Sequence, residues 1–186
     1  TAAENKRISD LINEYRYMLN LSAESPIIQL GIANLEWHLG NQDKAEKAYL
    51  QAVKIEPSYI LVLIQVAEFY RKIQQDPKGM EFLQQALVVE PDNAQANHAL
   101  GLLLIRQKRY QEALSALKIA TDSHEAIVDY AYIYAIALDD QKQTFKAIDV
   151  LVKADKRWPG NNALVSVLVA YLNKVGKGAE AQKYLH

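Results

Sequence analysis

Apolar residues return along this chain at three- and four-residue intervals, in stretches separated by short polar turns, which is the pattern of successive amphipathic helices. Residues 60–93 carry it plainly. Val62, Val66, Phe69 and Ile73 fall at i, i+4, i+7 and i+11, and Phe82, Leu83, Ala86 and Leu87 form a second apolar stripe. Gln75, Asp76 and Pro77 turn the chain between them, with Asp76 placed to cap and Pro77 to open the following helix. Pro57 and Pro91 are 34 residues apart, and Pro159 lies two such periods further on. Proline has no N–H and disfavours the helical region for its predecessor, so each stops a helix. Asp92 or Asn93, and Asn161 or Asn162, are then placed to cap the next one.

Two further columns hold the same register. Ala45, Gly79, Ala113, Ala147 and Ala181 recur every 34 residues without an insertion, and so do Ala52, Ala86, Ala120 and Ala154. A fixed period of this size marks an array of stacked helical hairpins. With Pro26 as the first position, the repeats span 26–59, 60–93, 94–127 and 128–161, with a partial fifth over 162–186. Residues 4–22 read as one more helix, a partial or capping repeat, with Ile8, Leu11, Ile12, Tyr15 and Leu19 on one face. The expectation is a single array over residues 1–186. The chain opens at Thr1 and ends at His186 within a helical pattern, so it reads as a piece of a longer polypeptide. The small-residue columns, with Ala33, Ala67, Gly101 and Ala135 on the first helix of each pair, let backbones approach closely. Ile32, Val66, Leu100, Tyr134 and Leu168 form one ladder of fillers, and Tyr49, Leu83, Leu117, Leu151 and Tyr184 another.

Half of the 186 residues are apolar, enough for a sizeable core, and 21 basic against 22 acidic residues leave a net charge of −1. That balance argues against nucleic-acid binding, which draws its affinity from neutralised phosphates, and against a polybasic membrane surface. No apolar run reaches the roughly 18 residues of a spanning helix. With no cysteine there is no disulfide, thiolate site or covalent haem attachment. There is no glycine-rich phosphate loop and no nucleophile elbow, and the histidines at 38, 98, 124 and 186 lack ligand spacing. The reading is therefore a protein that is not an enzyme and carries no metal or cofactor.

The period, the small residues at repeat positions 8, 20 and 27, the bulky residue at 24 and the proline at 32 resemble the tetratricopeptide repeat over about residues 26 to 186. The resemblance implies an all-α fold, a right-handed superhelix of antiparallel helix pairs with about 11 helices. The chain departs from the pattern in places. Gln29, Leu63, Asn97, Ala131 and Val165 stand where the family usually has tryptophan, Glu125 stands in place of a proline, and Val169 replaces a small residue.

In that family the first helices line a concave groove, at positions 2, 5, 9, 12 and 13. The resemblance places there Leu30, Asn34 and Trp37; Ile64, Glu68 and Arg71; Gln95, His98, Leu102, Ile105 and Arg106; and Asp129, Tyr132, Ile136 and Asp139. The carboxylate clamp of some relatives is missing, since its positions hold Leu30, Asn34, Gln65, Gln95 and Ala99. What stands instead is an apolar strip of Leu30, Ile64, Leu102, Tyr132 and Ile136 between Arg71, Arg106 and Asp139. The competing reading is that Leu102, Tyr132 and Ile136 only pack against neighbouring helices. His98 reads as structural or solvent-facing, Tyr134 as core, and Trp158 as a loop plug.

These features make the chain a protein–protein interaction module whose partner is another protein or peptide segment. The alternative is a spacer or self-associating scaffold that stacks through its terminal helices. The stretches 98–110 and 129–138 also resemble repeat modules fused to bacterial multihaem c-type cytochromes. That resemblance would make this the C-terminal docking part of an exported protein and favour the periplasm.

Overall fold

The structure, a computed structural model, describes residues 1–21 and 25–185; Ser22, assigned above to the first helix, and His186 lie outside the described residues. Those residues form eleven α-helices and no strand. They divide into two compact units, Thr1–Pro91 and the residues from Asp92 onward. The first unit holds α1 (Ala2–Leu21), α2 (Pro26–His38), α3 (Gln42–Ile55), α4 (Ile60–Lys72) and α5 (Asp76–Val89). The second holds α6 (Ala94–Arg106), α7 (Tyr110–Asp122), α8 (Val128–Asp140), α9 (Thr144–Arg157), α10 (Asn162–Lys174) and α11 (Gly178–Ala181), which runs on as a 3-10 turn over Gln182–Tyr184. Within each unit consecutive helices pack in pairs: α2 on α3 and α4 on α5, then α6 on α7, α8 on α9 and α10 on α11.

Local chemistry sets the helix ends. The side chains of Ser25, Asn93 and Asn161 accept hydrogen bonds from the backbone N–H groups of Ile28, Ala96 and Leu164, at 3.3, 2.9 and 3.1 Å. Asp76 does not cap α5. It is the first helical residue, and Gln75 takes the cap position without a side-chain bond. The first helix of every pair ends in the same left-handed turn, with φ of 80° at Gly40, 61° at Gln74 and Lys108, 62° at Lys142 and 77° at Gly176. The following residue then donates back into the helix, as from Gln75 N–H to the Tyr70 carbonyl at 2.8 Å and from Arg109 N–H to the Leu104 carbonyl at 2.9 Å.

The small-residue columns sit where helices meet. Ala33, Ala45 and Ala52 are fully buried in the first unit, as are Ala120, Ala135 and Ala147 in the second. At Gly101 a Cβ would stand 2.6 Å from Leu117 Cγ, so α6 and α7 meet there with no room for a methyl. The third repeat, with Glu125 in place of a proline, closes its loop by other means. Ser123 takes an extended conformation, and the Arg157 guanidinium donates to the carbonyls of Ser123 and His124 at 2.9 and 2.6 Å.

Candidate binding surface on the first helices

In the first unit the surface rests on α2 and α4. Leu30 and Ile64, expected to open an apolar strip, are buried at 6% and 1% exposure. The reason lies in the helices that carry them. Leu30 joins the core cluster of Ile12, Tyr49 and Phe69. Ile64 belongs to a helix whose buried residues, Val62, Leu63, Ile64, Val66, Ala67, Phe69 and Tyr70, surround its axis. The exposed apolar residues are Ile27 at 57% and Leu61 at 40%, one helical turn earlier and 34 residues apart. Sequence reasoning passed over them, although repeat position 2 was the signal that could have found them. Trp37 is half-buried, edge-on to Phe69 with ring centres 5.5 Å apart. Asn34 accepts a 2.5 Å hydrogen bond from the Tyr49 hydroxyl, whose acidity burial has weakened, with its pKa pushed up to about 12. Arg71 and Glu68 pair within α4 at 2.7 Å, both half-buried.

In the second unit the surface rests on α6, α8 and α10. Gln95, Arg106 and Asp129 are exposed, while Leu102, Ile105, Tyr132 and Ile136 are half-buried. Ile105 and Tyr132 lean on the unit's core cluster. His98 stacks on Tyr130 with ring centres 4.4 Å apart, which fits a structural role. Asp139 accepts hydrogen bonds from Lys174 at 2.7 and 2.8 Å and from Thr144 at 2.6 Å. Burial pushes the Asp139 carboxyl up, but the bonds from Lys174 and Thr144 outweigh that and hold it below the ordinary carboxylate value. Tyr171, which the groove positions did not include, borders the same face. Burial, then Asp139, Asp140 and Tyr132, push its hydroxyl up to about 12. Lys174 stands 5.8 Å from the centre of its ring.

The structure also brings together residues that the groove positions did not name. Glu36 is buried at the repeat position where Tyr70, Leu104, Leu138 and Leu172 stand. It accepts from Arg16 at 3.0 Å and from the Asn41 side chain at 2.7 Å, so α1 is tied to α2 by an ion pair between an exposed guanidinium and a buried carboxylate. α1 leaves Leu11, Tyr17 and Met18 exposed. Among the described residues no group of three or more histidines and carboxylates is placed to hold a metal, and no helix is long and apolar enough to cross a membrane.

This architecture has a family. Models of the tetratricopeptide repeat match residues 82–125 and 98–162, and again 28–59, which together make up more than half of the chain. The chain belongs to the tetratricopeptide repeat family, whose members mediate protein–protein interactions. It is 36% identical over 87 residues to human tetratricopeptide repeat protein 7A, a match that takes in 45% of this chain and only 10% of that protein. Among solved structures it is similar to MamA, with a TM-score of 0.70 and 24% identity over 86% of this chain and 87% of that one. It is also similar to YrrB, with a TM-score of 0.67 and 16% identity over 92% and 88%. Likeness at that identity establishes the fold alone. The resemblance to cytochrome-fused repeat modules is not borne out by these matches.

Proposed function

We propose that the chain is a non-catalytic docking module whose second unit takes a segment of another protein on the first-helix face of α6, α8 and α10. The observation that carries this reading is the half-buried row of Leu102, Tyr132 and Ile136 with exposed Gln95, Arg106 and Asp129 about it. Apolar anchors that keep part of their surface in water gain by covering it, and tyrosine gives a large contact area at low entropic cost. The Asp139–Lys174 pair fixes one edge of the face and leaves a polar rim. YrrB, described as a TPR protein with an unusual peptide-binding site, offers a precedent for a peptide ligand on this fold. In the first unit the exposed apolar residues of α2 and α4 are instead Ile27 and Leu61, at repeat position 2.

The test selects short peptides from a phage-displayed library on the intact chain and re-measures them on Tyr132→Ala and Leu102→Ala. Loss of about 2 kcal/mol in binding at Tyr132, with the melting temperature held, supports the face. Binding that falls only in step with melting temperature makes these residues core and ends the proposal.

A further inference from the structure

The second unit carries a cleft on its other side, away from the first-helix row. It lies between α7 and α9, is floored by α8, and has a volume of about 310 Å³. Ala131 lies in the floor, at the position that Gln29 takes in the first unit. The same repeat position holds Leu63, fully buried, in the second repeat. Tyr134 and Trp158 wall the cleft. Tyr134, expected in the core, is half-buried and packs against the unit's core cluster, with its remaining surface in the cleft. Trp158 is held in place by the Arg157 guanidinium, which sits 4.7 Å from its ring centre and at the same time binds the 123–124 loop.

The charges around this cleft are unbalanced. Lys118, Lys153 and Arg157 line it, against the single carboxylate of Asp122. Asp122 is already engaged by Lys118 at 2.5 Å, and Lys153 enters no ion pair among the described residues. The first unit has a cleft in the same register, which shows what is particular to this one. There Arg16 takes the place of Lys118, Gln51 that of Lys153 and Ile32 that of Tyr134. Lys44 and Lys47 also line that cleft, but Arg16 is bound by buried Glu36 and no aromatic residue forms a wall. Of these two clefts, the second unit's is the one that sets cations beside an apolar, aromatic-walled hollow.

We propose that this cleft is a second binding site, for an acidic peptide segment in which an aliphatic residue stands beside Asp or Glu. The aliphatic side chain lies on Ala131, Val150 and Ala154 between the two aromatic rings, and the carboxylate meets Lys153 and Lys118. Each half is weak alone. An exposed ion pair contributes little, and a small hydrophobic contact in an open hollow is modest, so recognition needs both.

The probe is acetyl-Leu-Glu-amide, titrated into the intact chain while the indole N–H signals of Trp158 and Trp37 are followed by NMR. Acetyl-Leu-Gln-amide and acetyl-Ala-Glu-amide serve as controls. The expected result is a saturable shift of the Trp158 signal, none of Trp37, and at least several-fold weaker response to both controls. Lys153→Glu should weaken binding roughly tenfold, as reversal of an exposed charge a few ångströms from a carboxylate does. Ala131→Leu should abolish it by filling the floor. Lys153 is exposed, so its variant keeps the test decisive if Ala131→Leu disturbs folding. Tyr132→Ala should leave this titration unchanged, which separates the cleft from the first-helix face. Equal shifts with the Leu-Gln peptide, an unchanged affinity in Lys153→Glu, or a Trp158 signal that does not move would each overturn the proposal.

Discussion

A methyl group at position 101 tests how closely the second unit is packed. Gly101 is buried in α6, and an added Cβ would lie 2.6 Å from Leu117 Cγ, 2.7 Å from Leu117 Cδ2 and 3.5 Å from the Ala113 carbonyl oxygen. Carbon atoms prefer about 3.5–4.0 Å, so two contacts are short by roughly 1 Å. Leu117 is fully buried and packed among α7, α8 and α9 residues, so it has nowhere to swing. Overpacking of this kind costs about 1–3 kcal/mol. Against it stands the better helix propensity of alanine, worth about 1 kcal/mol. The clash wins, and Gly101→Ala should destabilise the chain by about 1 kcal/mol, or about 2–4 °C in melting temperature at this chain length.

The sign is the stronger test. Leu117→Ala alone should cost about 2–5 kcal/mol, since it deletes a fully buried side chain. In that background the obstruction is gone, and Gly101→Ala should now stabilise by about 1 kcal/mol through propensity and partial filling of the void. The coupling between the two sites is then about 2 kcal/mol. Urea unfolding followed by circular dichroism, with Trp158 fluorescence in a Trp37→Phe background, reads the second unit even if the two units melt separately. If Gly101→Ala has the same sign with Leu117 and without it, the helix contact is not what holds this position to glycine.

The turn column yields a second prediction. Lys108 adopts a φ of 61° that costs an L side chain roughly 1 kcal/mol, so Lys108→Gly should stabilise by about 0.5–1 kcal/mol, while Gly40→Ala, at a φ of 80°, should destabilise by a similar amount. Equilibrium denaturation checks both, and opposite signs are required. A third prediction concerns pH. The Asp139 carboxyl is held below its ordinary value, so its contribution is present above the unfolded carboxylate pKa of about 3.9 and is lost as pH falls through the lower folded value. Melting curves of the parent and of Asp139→Asn should therefore differ near neutrality and converge below about pH 4; a gap that persists in acid would remove the charge from the account.

The parts legible in the sequence were those set by register. Columns of alanine, glycine and proline fix where helices begin, stop and touch, because each of these residues acts through the backbone: a missing N–H, a missing Cβ, a methyl in place of a side chain. The left-handed turns share the register yet escaped notice, since Gln74, Lys108 and Lys142 carry no chemical sign of a positive φ. Only Gly40 and Gly176, at either end of the column, mark it. Exposure was least legible. A first helix in such a stack touches neighbours on several sides, so α4 is apolar nearly all round and periodicity cannot say which apolar residue meets water. Leu30 and Leu61 are chemically alike, but the first is core and the second is surface. What separates them is their place in the repeat: in the first unit position 5, held by Leu30 and Ile64, turns toward packed helices, while position 2 sits at the helix start beside the turn. Ala131 follows the same logic. Read alone it is a small residue on an apolar helix; beside the larger buried Asn97 one period away and Leu63 two periods away it is the small member of its column, and it lies in the floor of the cleft. In a repeat protein the informative comparison at any position is the residue one period away, and departures from the column are where binding surfaces should be sought.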